Sequence, residues 1–181
     1  MLNHQGTQVI TTPRLVLRPF DPADAPTMFA NWASDPEVTK FLTWPTHTSV
    51  EVSQWVCNDW DGHYAEPDYY QWAIVYEGHP IGSMAAVNHD DRVGKVEIGY
   101  CIGQNWWHMG IASEALKAVM DFLFDEVGYE RIEARHDPRN PRSGNVMRKC
   151  GMKYEGTLRQ SDWNNQGVCD ASWYALLKSE R

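Results

Sequence analysis

One segment of ten residues, Trp-Trp-His-Met-Gly-Ile-Ala-Ser-Glu-Ala at 106–115, constrains the fold more than any other part of the chain. It joins a strand-like run at 96–102 to an unbroken helical run at 110–126. A turn of small residues at such a junction leaves the first amides of the helix unpaired, with the positive end of the helix dipole behind them. The segment therefore predicts a turn that binds an anion, most often a phosphate. A second interpretation stays open, in which Gly110, Ala112 and Ala115 only let the helix pack closely on a sheet.

A second segment, Asn-Pro-Arg-Ser-Gly-Asn-Val-Met-Arg-Lys-Cys-Gly-Met at 140–152, follows one predicted strand later. In this order and spacing, the two segments resemble the acyl-CoA-binding motifs of the GCN5-related N-acetyltransferase (GNAT) superfamily. The resemblance is to its RimJ/RimL-like branch in particular, which acetylates protein N-termini and other amines. The first motif is matched, with Ser113 in place of threonine, by Trp107, Gly110, Ala112, Glu114 and Ala115, and the second by Asn140, Ser143, Val146, Lys149 and Gly151.

The first motif departs from the usual pattern at two positions. His108 stands where the branch usually has its first glycine, so the turn must tolerate a side chain, and histidine is among the residues less averse to a positive φ. Met109 replaces a lysine, which removes a cation beside the phosphates. Either the cofactor binds less tightly, or the basic residues at 139–149 compensate. A non-catalytic relative that only binds or senses acyl-CoA is therefore an alternative to an enzyme.

The order of the predicted elements matches the GNAT fold across nearly the whole chain. A strand at 14–18 precedes two helices, the second opened by a capping box at 48–51. Three antiparallel strands follow at 69–76, 80–88 and 95–102, then the helix at 110–126, a strand at 131–136 and a helix at 142–150. Two strands at 152–159 and 168–177 end the domain. We expect one domain over 1–181 with a mixed α/β fold, in which helices flank a mostly antiparallel sheet of about seven strands.

Charge is segregated along the chain. Residues 21–97 carry 13 acidic and 3 basic side chains, whereas residues 131–153 carry 7 basic and 2 acidic ones. This pattern suits a protein that joins a polyanionic cofactor to a cationic acceptor, although ordinary solvated surfaces explain it as well. The net charge of −8 disfavours a nucleic-acid partner.

Targeting and metal-binding patterns are also missing from the sequence. It has no stretch typical of a signal peptide or a membrane span, so we expect a cytoplasmic protein that does not engage a membrane. The scattered cysteines disfavour a disulfide framework and a zinc site, and we expect no metal.

The resemblance implies where acetyl-CoA binds. The cofactor is expected in a gap between two splayed strands, where the backbone of Cys101 and Ile102 pairs with the pantetheine arm and the side chain of Asn140 hydrogen-bonds to the same arm. The resemblance also implies that Trp107 and Lys149 belong to the cofactor site. The diphosphate is expected on the amides of Met109, Gly110, Ile111 and Ala112 and on the hydroxyl of Ser113.

Transfer of an acetyl group to an amine needs a base, because a lysine-type amine has a pKa of about 10.4 and a protein N-terminus one of about 8. Glu97 is the predicted base, being similar in position to the family's glutamate, or else it is only an exposed carboxylate on an alternating strand. Met147 occupies the position of the family's usual tyrosine, so Ser143 is the predicted proton donor to the leaving thiolate. Its alternative role is to open the helix. No histidine is placed to activate Cys101, so we predict direct attack in a ternary complex.

The acceptor and the assembly are left open by the sequence. A peptide N-terminus, a polyamine and another small amine are equally compatible with the motifs. Most of the nine tryptophans are expected in packing. Trp32, Trp44 and Trp55 alternatively line an acceptor pocket or a surface through which the chain forms a homodimer.

Overall fold

The computed structural model describes residues 2–181 as an open sheet with helices on both faces. Within these residues the strands are β1 Ile10–Thr11, β2 Leu15–Arg18, β3 Tyr70–Tyr76, β4 His79–Asp90, β5 Lys95–Ile102, β6 Arg131–His136, β7 Lys153–Asn164 and β8 Gly167–Leu177. The helices are α1 Ala25–Met28, α2 Pro36–Thr39, α3 Val50–His63, α4 Ile111–Phe122 and α5 Pro141–Lys149. Wider helical turns continue α1 over Phe29–Ala33 and α4 over Leu123–Val127.

The strands lie in the order β1-β2-β3-β4-β5-β6-β8-β7, and every neighbouring pair is antiparallel except β5 with β6. Because β5 and β6 are parallel, the chain needs a crossover between them, and α4 supplies it. The predicted mixed α/β fold and mostly antiparallel sheet are confirmed. The described sheet has eight strands, since the two-residue β1 adds an edge that was not predicted.

Two apolar clusters cover the two faces of the sheet, and β5 contributes to both. The larger cluster packs α4 and α5 on one face, where β5 presents Val96 and Ile98. The smaller cluster packs α1 and α3 on the other face, where β5 presents Cys101. Since side chains alternate along a strand, Glu97 and Gly99 share the face of Cys101. The strand β5 therefore contributes side chains to the packing on both faces of the sheet.

Some local predictions need correction. The helix α3 is present but begins at Val50, one residue after the start that a capping box at 48–51 implies, and its N-cap Ser49 makes no side-chain cap bond, so the capping box is wrong. The strand β7 runs to Asn164 rather than 159, with two register shifts against β8. The alternation of apolar and polar residues did not predict the full length of β7. This strand lies at the edge of the sheet and is exposed on both faces, and the alternation weakens when neither face is buried.

Candidate active site

The strands β5 and β6 separate after a short parallel pairing. Three residue pairs join them, the last being Glu97 with Glu133, whereas β5 continues to Ile102 and β6 to His136. The separation leaves a cleft of about 670 Å³ between the two strands and the N-terminal ends of α4 and α5. The cleft corresponds to the predicted gap between splayed strands.

The register with β4 determines which peptide groups of β5 face this gap. Cys101 lies opposite Ser83 in a hydrogen-bonded pair. Because the hydrogen-bonding direction alternates along an antiparallel strand, the amide and carbonyl of Cys101 point to β4, while those of Tyr100 and Ile102 point to the gap. The Ile102 carbonyl accepts a hydrogen bond from Nε1 of Trp107 (2.8 Å). The peptide groups of Cys101 therefore cannot pair with a pantetheine arm in the gap, as was predicted, and those of the neighbouring Tyr100 face the gap instead. At Ile102 only the amide is free for such a contact, because the carbonyl already accepts the Trp107 hydrogen bond.

The turn before α4 has the geometry of an anion cradle. His108 has a φ of 63° and Gly110 a φ of 75°, so both adopt the left-handed conformation that the motif required. The amide of Glu114 donates to the carbonyl of Gly110 (3.1 Å) as the first hydrogen bond of the helix. The amides of residues 111–113 precede that bond and have no carbonyl within the helix to pair with. They lie at the positive end of the helix dipole, where phosphate is favoured.

Positive side chains flank the cradle although the turn itself has none. Met109 is neutral and 39% exposed. The Nζ of Lys149 on α5 lies 3.6 Å from the point that a Cβ on Gly110 would occupy. The guanidinium of Arg142 lies over the ring of Trp107, 4.1 Å from its centroid. The residues present thus fit a diphosphate, with room at the glycine and cations beside it.

Glu97 is held on the side of the sheet that carries α1 and α3. Its side chain is buried, forms an ion pair with Arg135 and accepts a hydrogen bond from Nδ2 of Asn88 (3.0 Å). Arg135 in turn donates through Nε to Asp162 (2.6 Å). A Cβ on Gly99, two residues along β5, would meet no atom within 4 Å, so the space next to the carboxylate is open. Glu97 is therefore a fixed carboxylate at the floor of the cleft and not the exposed side chain of the alternative interpretation.

Ser143 has a partner that the sequence did not reveal. The hydroxyl of Tyr100 donates to the carbonyl of Ser143 (3.0 Å) and lies 3.1 Å from its Oγ, which joins β5 to the first turn of α5 across the gap. Burial raises the pKa of Tyr100, so its hydroxyl stays protonated. Met147 is buried in the core, and Asn140 precedes α5 without a side-chain cap bond and lines the cleft. A strand and a helix far apart in sequence create this pair, which explains why pattern reasoning missed Tyr100.

The half of the cleft beside Glu97 has two walls. One is the segment 37–43, which begins within α2, and the other is the hairpin of β7 and β8. Asn165 at the hairpin tip joins them, because its amide donates to the carbonyl of Leu42 (3.1 Å) and its Nδ2 to those of Thr39 and Trp44 (2.8 Å each). Acidic, basic and apolar side chains line this half: Glu37, Asp162, Lys40, Phe41, Val87 and Trp163.

The alternative in which the three early tryptophans line an acceptor pocket is wrong. Trp32, in the helical turn that continues α1, is completely buried in the core, and Trp44 packs against the same core. Trp55 is 68% exposed on α3, away from the cleft, and its role in a dimer surface stays a prediction. The tryptophans that line the cleft are Trp106, Trp107 and Trp163.

Residues 2–181 contain neither a membrane-spanning helix nor a metal-binding cluster. None of their helices combines the length and the apolar composition needed to cross a membrane. The same residues contain no group of three or more His, Cys, Asp or Glu side chains suited to a metal ion.

Comparisons with known proteins agree with this architecture. Residues 14–153 match the acetyltransferase (GNAT) domain family. The chain is 30% identical over 175 residues to the N-acetyltransferase p20 of Bacillus licheniformis, covering 96% of this chain and 98% of p20. A shorter match, 37% identical over 59 residues, covers 33% of this chain and 30% of a ribosomal-protein-alanine N-acetyltransferase of Escherichia coli.

A solved structure of RimL, a ribosomal-protein α-N-acetyltransferase in complex with coenzyme A, has the same fold. Its TM-score is 0.84 at 20% identity, over 94% of this chain and 98% of RimL. The fold and the cleft define an acetyltransferase of the GNAT type. The chain belongs to the GNAT acetyltransferase family and is an N-acetyltransferase.

Proposed function

We propose that this protein transfers the acetyl group of acetyl-CoA to a primary amine by direct attack in a ternary complex. One observation carries the proposal: a single cleft contains both a cation-flanked helix N-terminus and, further along β5, a buried carboxylate. The first suits the diphosphate of the cofactor and the second suits deprotonation of an amine. The coenzyme A bound in the RimL structure supports this choice of cosubstrate.

The cofactor half of the cleft would hold acetyl-CoA through backbone and cationic groups. The amides of residues 111–113, with the Ser113 hydroxyl, bind the diphosphate, and Lys149 neutralises part of its charge. The backbone edge at Tyr100 and the amide of Ile102 bind the pantetheine arm, and so does the side chain of Asn140. When bound, acetyl-CoA supplies an activated acyl group as a thioester.

Glu97 is the proposed base. The amine must lose a proton to become nucleophilic, and a carboxylate at the floor of the cleft accepts it through a water molecule in the open space above Gly99. Arg135 and Asn88 each bind one carboxylate oxygen, which fixes the orientation of the group. This ordering is completed before the substrates arrive and costs nothing during the reaction.

Ser143 is the proposed donor to the leaving thiolate, whose conjugate acid has a pKa of about 8.5. Its Oγ lies against the hydroxyl of Tyr100, which keeps its own proton because it is buried. Tyr100 therefore does not supply a proton, and Ser143 regains the proton that it gives to the thiolate from water in the open cleft after the thiol has formed. Tyr100 is a positioning residue for Ser143 in this scheme.

The favoured acceptor is the N-terminal amine of a peptide, with a polyamine or another small amine as the second candidate. The carboxylates Glu37, Glu97 and Asp162 outnumber the cations Lys40 and Arg135, an excess of negative charge that favours a cationic amine, and Phe41 and Trp163 offer apolar surface to the group that carries it. Relatives that acetylate ribosomal proteins support a peptide.

The test combines cofactor binding with a thiol-release assay. Calorimetric titration with acetyl-CoA is expected to give saturable one-to-one binding, and release of free thiol is expected with N-terminal peptides. Glu97→Gln should lower kcat by about 100-fold or more while the Kd for acetyl-CoA stays within about twofold, because general-base catalysis contributes about 10²–10⁴ in rate. The matched control is Glu51→Gln, which alters an exposed carboxylate on α3.

Three results would contradict parts of this proposal. If the protein does not bind acetyl-CoA, the proposal that acetyl-CoA is its cosubstrate is wrong. Binding without thiol release over the whole panel of amines would favour the non-catalytic acyl-CoA-sensing alternative. An unchanged kcat in Glu97→Gln would remove this residue from the mechanism.

A further inference from the structure

Arg14, the residue directly before β2, reaches the turn that precedes α4. Its Nε donates to Oε2 of Glu114 (2.7 Å) and its backbone amide to Oε1 (3.0 Å). Its Nη1 donates to the carbonyl of Met109 (2.9 Å). Thr12 adds a hydrogen bond to the same Oε1 of Glu114 (2.6 Å). The guanidinium is therefore fixed in position at its Nε and Nη1 groups.

The remaining nitrogen of this guanidinium points to the cradle. Nη2 of Arg14 lies 3.6 Å from the point that a Cβ on Gly110 would occupy. Nζ of Lys149 lies at the same distance from the same point. Two cations, one from the start of β2 and one from α5, thus converge on the glycine whose missing side chain leaves room for a ligand. This convergence brings two cationic groups to the cradle, one of them paired with Glu114, although Met109 in the turn is neutral.

We propose that Arg14 binds the diphosphate of the cofactor through Nη2, and that Glu114 is the positioning residue that holds it there. The inference rests on the proposed use of acetyl-CoA. A guanidinium that is already ordered by Glu114 and by the Met109 carbonyl loses little conformational freedom on binding, so more of the charge-assisted hydrogen bond appears as affinity. Glu114 consequently contributes to cofactor binding without touching the cofactor.

The test compares coenzyme A with pantetheine, which lacks the diphosphate and the nucleotide. Arg14→Gln should raise the Kd for coenzyme A by about tenfold or more, since a hydrogen bond to a charged group contributes about 1.5–3 kcal/mol. The affinity for pantetheine should stay within about twofold, and the loss of coenzyme A affinity with rising salt should become shallower. Arg92→Gln is the matched control, because Arg92 is exposed and pairs with Asp90 outside the cleft.

A second variant separates binding from a structural role. Met109→Lys, added to Arg14→Gln, places a new ammonium beside the same turn at an exposed position and should restore most of the lost affinity for coenzyme A. The unfolding temperature of each apo variant is measured in parallel.

The outcomes are distinguishable. If the unaltered protein does not bind coenzyme A, the proposed function fails. If it binds and Arg14→Gln binds equally well, the inference about Arg14 is refuted while the use of acetyl-CoA stands. If the affinities for coenzyme A and pantetheine fall together and Met109→Lys restores neither, Arg14 is only structural and the inference is also refuted.

Discussion

The substitution Gly110→Glu tests the anion cradle most directly. It introduces two separate effects, strain and charge. Gly110 has a φ of 75°, and a side chain in this left-handed conformation costs about 1–2 kcal/mol of stability. The new carboxylate extends from a Cβ that lies 3.6 Å from both Arg14 Nη2 and Lys149 Nζ, so it pairs with the cations that would otherwise bind phosphate.

The size of the charge effect follows from the geometry. A carboxylate about 4 Å from a phosphate repels it by about 4 kcal/mol at an effective dielectric constant of about 20. The side chain of Arg14 is 40% exposed, so solvent screens this site, and we take about half of that value. A loss of about 2 kcal/mol corresponds to an affinity about 30-fold lower.

Calorimetry with coenzyme A is the assay, and Gly110→Gln is the matched control, since it carries the same strain and bulk without the charge. We expect Gly110→Gln to bind more weakly than the unaltered protein, and Gly110→Glu to bind about 30-fold more weakly still. Equal affinities of the two variants would refute the assignment of the diphosphate to this turn. Unfolding temperatures of both apo variants show whether the strain is the same.

Two further predictions concern stability. Gly144→Ala should lower the free energy of unfolding by about 1–3 kcal/mol in denaturant titrations, because its Cβ would lie 2.5 Å from Nε2 of His136 in a packed contact; an unchanged midpoint would contradict this. Although burial opposes it, hydrogen bonds from Arg139 and Asn164 lower the pKa of Asp137 to about 2. Since the unfolded value is about 3.9, the stabilisation is complete above about pH 5 and is lost progressively as the pH falls through the folded pKa of about 2, and Asp137→Asn should flatten stability over that range in acid titrations.

Much of the fold could be predicted from the sequence because its signals are local. The strands β5 and β6 were placed with their observed bounds, since each is a short run that ends at a clear turn or loop. The helix α5 ends before Gly151, whose φ of 86° is the left-handed position expected of a terminating glycine. The positive φ at His108 was likewise required by the motif and is observed.

Some site residues could likewise be predicted from a local motif, whereas others depend on how the strands pair. The motif placed Gly110, Asn140, Ser143 and Lys149 in one cleft, and the structure brings them together. Cys101 was assigned a contact that its register with β4 directs elsewhere. Register depends on pairing with another strand, which no local pattern records.

The sequence by itself determined that a helix with unpaired N-terminal amides follows a strand, because turn chemistry and periodicity act over a few residues. Only the tertiary structure decided which side chains complete the site. Arg14 approaches Gly110 from 96 positions earlier in the chain, and Tyr100 meets Ser143 across the gap between separated strands. Such contacts arise because packing on a shared sheet brings distant segments together. The charge at the cradle and the partner of the proposed proton donor are therefore properties of the fold.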